Sequence, residues 1–199
     1  MAEVFIIGAG GHARVIASML SVEPHFVTLD PQTEDRILGE LVAANAAAEY
    51  YIGIGTNSHR RRIADKLRAL GARLPPCVAP NAFVARDAQL GDATVICLGS
   101  QIGSRAALGF ACIVNTLSSV DHDCALGDYT QVTAGVTFGG TVVVGTNGFF
   151  GVKSAVIPNR RLGNDVVVMA GAIVTSDIPD GLMVGGNPAQ IVRRVQGSP

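Results

Sequence analysis

Between Val78 and Val174 an aliphatic residue or phenylalanine recurs every six positions, from Val78, Val84, Leu90 and Ile96 through Val168 and Val174, with no insertion to break the frame. A period of six matches neither the 3.6 of a helix nor the alternation of a lone strand. It is the period of a parallel β-helix, in which each unit makes one short flat wall and one corner. The recurring residue is expected to point inward. Four places later the residue is usually small (Ala82, Ala88, Thr94, Ser100, Ala106, Cys112), as a narrow interior requires. Glycine often follows the inward residue directly (Gly91, Gly103, Gly109, Gly127, Gly139, Gly145, Gly151, Gly163), and is expected to serve sharp corners where a Cβ is costly. A valine-rich β-sandwich would need hairpin punctuation and would not keep one frame for so long.

The pattern before the repeat is different. Residues 3–7 read as a buried strand, Gly8 to His12 as a glycine-rich turn, and Ala13–Leu20 as a helix with Val15, Ile16, Met19 and Leu20 on its apolar face. A second strand, His25–Leu29, ends in Asp30; a third, Tyr50–Ile54, runs into Gly55, Thr56 and Asn57; a helix follows from about Ser58 to Leu70, with Arg60, Arg61 and Arg62 in its first turns. Strand, glycine turn and helix N-terminus together form an anion cradle, and an acid at the end of the second strand is placed for a ribose hydroxyl. About seventy residues supply one mononucleotide-binding half, not the two that a dinucleotide spans, so a nucleotide or nucleotide-sugar is expected in preference to NAD. Two readings of the turn stay open on these residues alone, a phosphate cradle or a glycine used for tight packing. The arginines equally fit a solvated helix face or phosphate contact. Pro75, Pro76 and Pro80 mark a rigid connection, dividing the chain into residues 1–75, an α/β Rossmann-like unit, and residues 76–199, an all-β parallel β-helix closed after Pro179 by a turn-rich cap.

Fifteen basic and sixteen acidic residues give a net charge of −1, which argues against a nucleic-acid or anionic-membrane binder. The longest apolar run, Val166–Val174, is too short to span a bilayer, and no basic segment precedes an apolar stretch at the N-terminus. A cytoplasmic protein is expected. Cys77, Cys97, Cys112 and Cys124 have no C-x-x-C spacing, and core packing is favoured over disulfide or zinc.

One stretch of the repeat carries chemistry: Asp121-His122-Asp123. Val120 points inward, so His122 lies outside. An imidazole beside an acid can be held in one tautomer as a general base; a solvated outer-face histidine is the other reading. No serine or cysteine sits in a nucleophile elbow, and no spacing points to a catalytic metal.

In these pieces the chain resembles the left-handed β-helix sugar acetyltransferases, in particular the nucleotide-amino-sugar N-acetyltransferases and sialic-acid O-acetyltransferases with an N-terminal nucleotide-sugar-binding unit. The resemblance rests on Ile6-Ile-Gly-Ala-Gly-Gly-His-Ala13, Ile52-Gly-Ile-Gly-Thr-Asn57, Asn115-Thr116, Val120-Asp-His-Asp-Cys124 and Val184-Gly-Gly-Asn-Pro-Ala189. It implies a homotrimer with sites between subunits, His122 as general base and Asp123 orienting it. Acetyl-CoA is then the co-substrate, with Gly140, Val152 and Ala170 as contacts. A nucleotide-sugar occupies the N-terminal unit at Gly10, Gly11, His12, Asp30, Gly55, Thr56, Asn57 and Arg60. Where the N-acetyltransferases often carry a second histidine near the acetyl carbonyl, this chain has Gln131, which can donate a hydrogen bond but not titrate. That departure leaves the base untouched and bears on the choice between amine and hydroxyl. The nucleotide-sugar unit, which fits intermediates carrying a free amino group, makes transfer to a sugar amine the expectation. Transfer to a hydroxyl is the alternative, and a non-catalytic nucleotide-sugar-binding scaffold the reading from another class.

Overall fold

In the computed structural model, which describes residues 3–195, the six-residue frame becomes a ladder of two-residue strands. They run from β4 (Cys77–Val78) to β20 (Ile173–Val174), and the second residue of each is the recurring apolar one. From Ile96 to Val174 all of these are buried, while Val78, at the open first turn, is exposed. Each strand pairs in parallel with the strand one coil later: Val95 lies beside Ile113, and Ile113 beside Gln131. Three faces result, of eight, six and five strands. The prism is a left-handed parallel β-helix, against the usual right-handed sense of parallel crossovers.

The small inward residues do more than save space. Thr94, Ser100 and Ser118 donate their hydroxyls to the carbonyls of Gly109, Asn115 and Thr133 at 2.8–3.0 Å, so a buried polar group is satisfied within the stack. Cys112 and Cys124 use their thiols in the same way, toward Gly127 and Gly139. All four cysteines are free and buried. Phe138 and Phe150 meet edge to face in the interior, their ring centroids 4.7 Å apart.

The glycines after the inward residues act differently from the sequence expectation. Their own backbone is ordinary; a Cβ at Gly91 would sit 2.6 Å from the Gly109 backbone, and one at Gly103 would sit 2.6 Å from the His122 nitrogen. They are small because successive corners stack on one another. The left-handed backbone falls two residues further on, at positions that are mostly not glycine: Arg105, Leu117, Asp123 and Tyr129 have φ of 55–62°. Hydrogen bonds to the preceding coil hold this strained conformation, for example Asp123 N to Ser104 O and Tyr129 N to Phe110 O, at 2.9 and 2.8 Å.

The N-terminal unit is β1 (Val4–Ile7), α1 (Gly11–Met19), β2 (His25–Val27), α2 (Glu34–Ala44), β3 (Glu49–Ile52) and α3 (Asn57–Ala69). Its parallel sheet has the order β2-β1-β3. The sequence reading passed over α2, although Leu38 and Val42 form a buried helical stripe. The buried carboxylate of Glu34 ties α2 to α3 through Arg62 at 3.0 Å and Lys66 at 2.6 Å.

The two regions share their cores. Tyr50, Ile63 and Leu67 pack with Phe110, Ala111 and Tyr129 of one prism corner. Ile6, Ala13 and Ile16 pack with Val95, Cys97 and Ile113 of the eight-stranded face. The proline-rich connection is held to the prism by Ala93 N donating to Leu74 O at 2.6 Å. At the far end, β21 (Leu182–Gly185) continues the eight-stranded face and turns back as β22 (Gln190–Arg194). Leu182, Val184 and Ala189 of this hairpin plug the interior.

Candidate active site

His122 stands on the corner that follows β11 (Ser119–Val120) in the six-stranded face, with its side chain 55% exposed. Its backbone N–H donates to Asp121 Oδ1 at 2.7 Å, and its carbonyl accepts from Thr141 N at 2.9 Å. The corner is therefore fixed on both sides. Nδ1 lies 2.7 Å from Asp123 Oδ2. Arg105, one coil earlier, grips both oxygens of that carboxylate, Nε to Oδ1 at 2.7 Å and Nη2 to Oδ2 at 2.9 Å. The Arg105 guanidinium, with His122 second, holds the Asp123 carboxyl below the usual carboxylate range. An ionised carboxylate only accepts, so Nδ1 carries the proton and Nε2 presents a lone pair. The Nε2–Cε1 side of the ring packs against Gly140, where a Cβ would come within 2.5 Å of both atoms. The Gly140 N–H donates to no group among the described residues. At the equivalent corner position elsewhere a side chain often caps this N–H, as Asp128 does for Phe110 and Asn164 for Thr146, both at 2.8 Å.

Val152 and Ala170 stack on a different corner, the one that follows the eight-stranded face; there too the two N–H groups donate to nothing among the described residues. Gln131 lies on the eight-stranded face itself, in β13 (Gln131–Val132). Within one chain the structure brings His122, Asp123 and Gly140 together and sets Gln131, Val152 and Ala170 apart from them.

The predicted nucleotide residues gather at one edge of the N-terminal sheet. Since its strands are parallel, the turns after β1, β2 and β3 open at the same side, with the β1 turn between the others. Gly8 takes φ +109° and approaches Gly53, and Gly53 in turn lets α1 pack against β3, because a Cβ there would lie 2.5 Å from that of Ala13. Gly10 and Gly11 instead face open space, and no side chain caps α1. His12 in that first turn is largely buried, its Nε2 without a hydrogen-bond partner among the described residues. Burial, then the charge of Arg60, lowers its pKa to about 4, so the ring is neutral. Asp30 is exposed and caps its own turn through Gln32 N at 2.8 Å. Gly55 and Thr56 line the β3 turn. Asn57, only 2% exposed, reaches into the interface, where its Nδ2 lies 3.4 Å from Asn147 Oδ1.

Arg60 lies neither on a solvated face nor open to a phosphate. It is 1% exposed, with Nε on the Ala111 carbonyl at 3.1 Å and Nη2 on that of Tyr129 at 2.8 Å; Nη1 reaches the Gly55 carbonyl and Gln131 Oε1, both at 3.1 Å. Burial among carbonyls lowers its pKa to about 10 and leaves it charged. Sequence reasoning missed this role, and it missed Arg105. The latter had a signal: Asp87, Arg105 and Asp123 are spaced by one coil. Among the described residues, no group of three or more histidines, cysteines or acids is placed to hold a metal, and no helix is long and apolar enough to cross a membrane.

Comparison with known proteins places this geometry. Residues 3–67 match the PglD N-terminal domain. YvoF of Bacillus subtilis is 43% identical over 42 residues, 21% of this chain and 24% of that protein, so the chain spans about a quarter of the length of the curated relatives it matches. Solved structures align over nearly everything. A point mutant of perosamine N-acetyltransferase from Caulobacter crescentus, in complex with CoA and GDP-perosamine, superposes with a TM-score of 0.90 at 31% identity, covering 97% of this chain and 98% of that one. The acetyltransferase domain of PglB from Neisseria gonorrhoeae, in complex with acetyl coenzyme A, gives 0.88 at 30% identity over 96% and 98%. Matched from end to end at this level, the chain belongs to the hexapeptide-repeat, acetyl-CoA-dependent sugar N-acetyltransferases.

Proposed function

We propose that the protein acetylates the amino group of a nucleotide-linked sugar, with His122 as the general base, and that it does so as a homotrimer. The observation that carries this reading is the line Arg105–Asp123–His122 ending at the open flank of Gly140. Arg105 holds Asp123 in place. Asp123 then fixes the imidazole, and the Nε2 lone pair accepts the proton that the amine loses as it attacks. Acetyl-CoA, when bound, supplies the acyl group as a thioester, whose C–S bond would break as the amide bond forms, CoA leaving as the thiolate. The residues fit it: the free N–H of Gly140 can face a carbonyl oxygen as negative charge develops there, and the uncapped N–H groups of Val152 and Ala170 can meet an extended chain along their corner.

The nucleotide-sugar belongs at the shared edge of the N-terminal strands. Gly10 and Gly11 leave room for phosphate at the start of α1, Asp30 is placed for a ribose, and Gly55 and Thr56 form the third wall, with Asn57 buried beside them in the interface. The Caulobacter neighbour's GDP-perosamine is a ligand of this kind.

Two features support the trimer. The candidate acetyl-CoA contacts lie on a different corner from His122, so a site using both is completed only where two subunits meet. The corner after the eight-stranded face also carries Leu98, Leu117, Val152 and Met169 exposed, an apolar line that a three-fold arrangement would cover. The test is thiol release from acetyl-CoA with a panel of UDP- and GDP-linked amino sugars, GDP-perosamine included, alongside light scattering. Turnover by a trimer, abolished in His122→Ala, is expected. Turnover surviving in His122→Ala, or an active monomer, would refute the assignment.

A further inference from the structure

We infer that Arg60 is a positioning residue that holds the Gln131 amide as a hydrogen-bond donor and couples the nucleotide-sugar turn to the acetyl-CoA face. The inference rests on the reading above and adds how its two binding regions are tied together. The Arg60 side chain hydrogen-bonds to both predicted ligand regions, through the Gly55 carbonyl on one side and Gln131 on the other. Guanidinium groups only donate. The Gln131 atom that meets Nη1 must therefore be the amide oxygen. The amide NH2 is turned away from Arg60, and it donates to no group among the described residues. A half-buried amide whose oxygen is held by Arg60 and whose N–H groups are free presents its donors to a ligand. That suits a carbonyl oxygen.

The anchoring is rigid for a definite reason. Arg60 has no carboxylate partner among the described residues; four acceptors on three separate segments (the β3 turn, the corner of Ala111 and Tyr129, and β13) satisfy its donors instead. Displacing any of them leaves a buried cation underbonded, which is costly. A shift of the Gly55 turn is therefore felt at Gln131, and the reverse.

The Gln131 variants separate positioning from mere cement. Gln131→Glu keeps an acceptor for Arg60, now a charged one, but has no N–H. It should fold with an unchanged or raised Tm, keep its KM for the nucleotide-sugar, and lose roughly 10²-fold in kcat, the usual cost of one donor at a developing oxyanion. Gln131→His can accept from Arg60 at one ring nitrogen and donate from the other, and should recover kcat to within about tenfold of wild type. Arg60→Lys cannot span four acceptors; kcat should fall and KM for the nucleotide-sugar rise together. Rates are measured with acetyl-CoA and the amino-sugar nucleotide that the wild type turns over fastest. Gln131→Glu with kcat within twofold of wild type overturns the inference even if Arg60→Lys fails to fold. The same result beside an inactive His122→Ala leaves the proposed acetyl transfer standing, whereas an active His122→Ala removes that reading itself.

Discussion

Gly140→Ala tests the site at its tightest point. The added methyl would lie 2.5 Å from His122 Nε2 and Cε1, whereas ordinary contact begins at 3.4 Å, so the ring must retreat by about 0.9 Å. It can do so, because the side chain is more than half exposed. The retreat, however, breaks the 2.7 Å bond between Nδ1 and Asp123 and moves Nε2 off the line of attack. A misplacement of about 1 Å costs on the order of 10²-fold in rate. Folding should be spared: Gly140 has no left-handed φ, and alanine there even narrows the unfolded ensemble slightly. Its neighbour supplies the control. A Cβ at Gly139 would meet the Pro158 ring at 2.6 Å and the Pro158 backbone nitrogen at 2.8 Å, and that backbone has nowhere to go. Thiol-release kinetics and thermal unfolding should therefore split the pair: Gly140→Ala folded with kcat down about 10²-fold, Gly139→Ala destabilised by about 1–3 kcal/mol. A Gly140→Ala protein with wild-type kcat would refute the placement of Nε2.

Other consequences follow from the charged and buried groups. His12 has a folded pKa of about 4 against an ordinary 6.5, so the unfolded chain binds the extra proton between those values and stability falls as pH drops through that window. Urea titrations should show the wild type losing about 2 kcal/mol between pH 7 and pH 5 through this residue, and His12→Gln keeping it. Asp123, depressed below 3.8 by Arg105 and then His122, stays ionised throughout mildly acidic conditions. Arg105→Ala should thus lower kcat by loosening Asp123 while leaving KM for both substrates near wild type, and a KM-only effect would contradict this. Burial pushes the Cys112 thiol up to about 12 and raises the other three, so a thiol reagent should label no cysteine in the folded protein; rapid labelling would show that the interior opens.

The repeat was legible because stacking demands the same residue class at the same step for every coil, and one period exposes it. The role of its glycines was not legible in a single unit. What forbids a Cβ at Gly91 is Gly109, and that neighbour appears only when the sequence is written one coil per line. The same arrangement would have set Arg105 above Asp123 and His122 above Gly140. Arg60 had no such signal. Its acceptors are mostly carbonyls, which every residue owns, and they lie 51 and 69 positions away at Ala111 and Tyr129. An arginine in a run of three reads as solvated by composition, and only the docking of the N-terminal unit on the prism makes one of them interior. Helix α2 carried its apolar spacing openly and was passed over between two better-marked strands.

The central claim, acetyl transfer to a sugar amine by His122, is met most directly by the product. Wild type and His122→Ala are incubated with ¹³C-acetyl-CoA and an equal mixture of an amino-sugar nucleotide and its hydroxyl analogue, and the new carbonyl is read by NMR. The account predicts an amide carbonyl from the wild type and no labelled sugar from His122→Ala. An ester as the dominant product, or amide formed at the wild-type rate without His122, would contradict it.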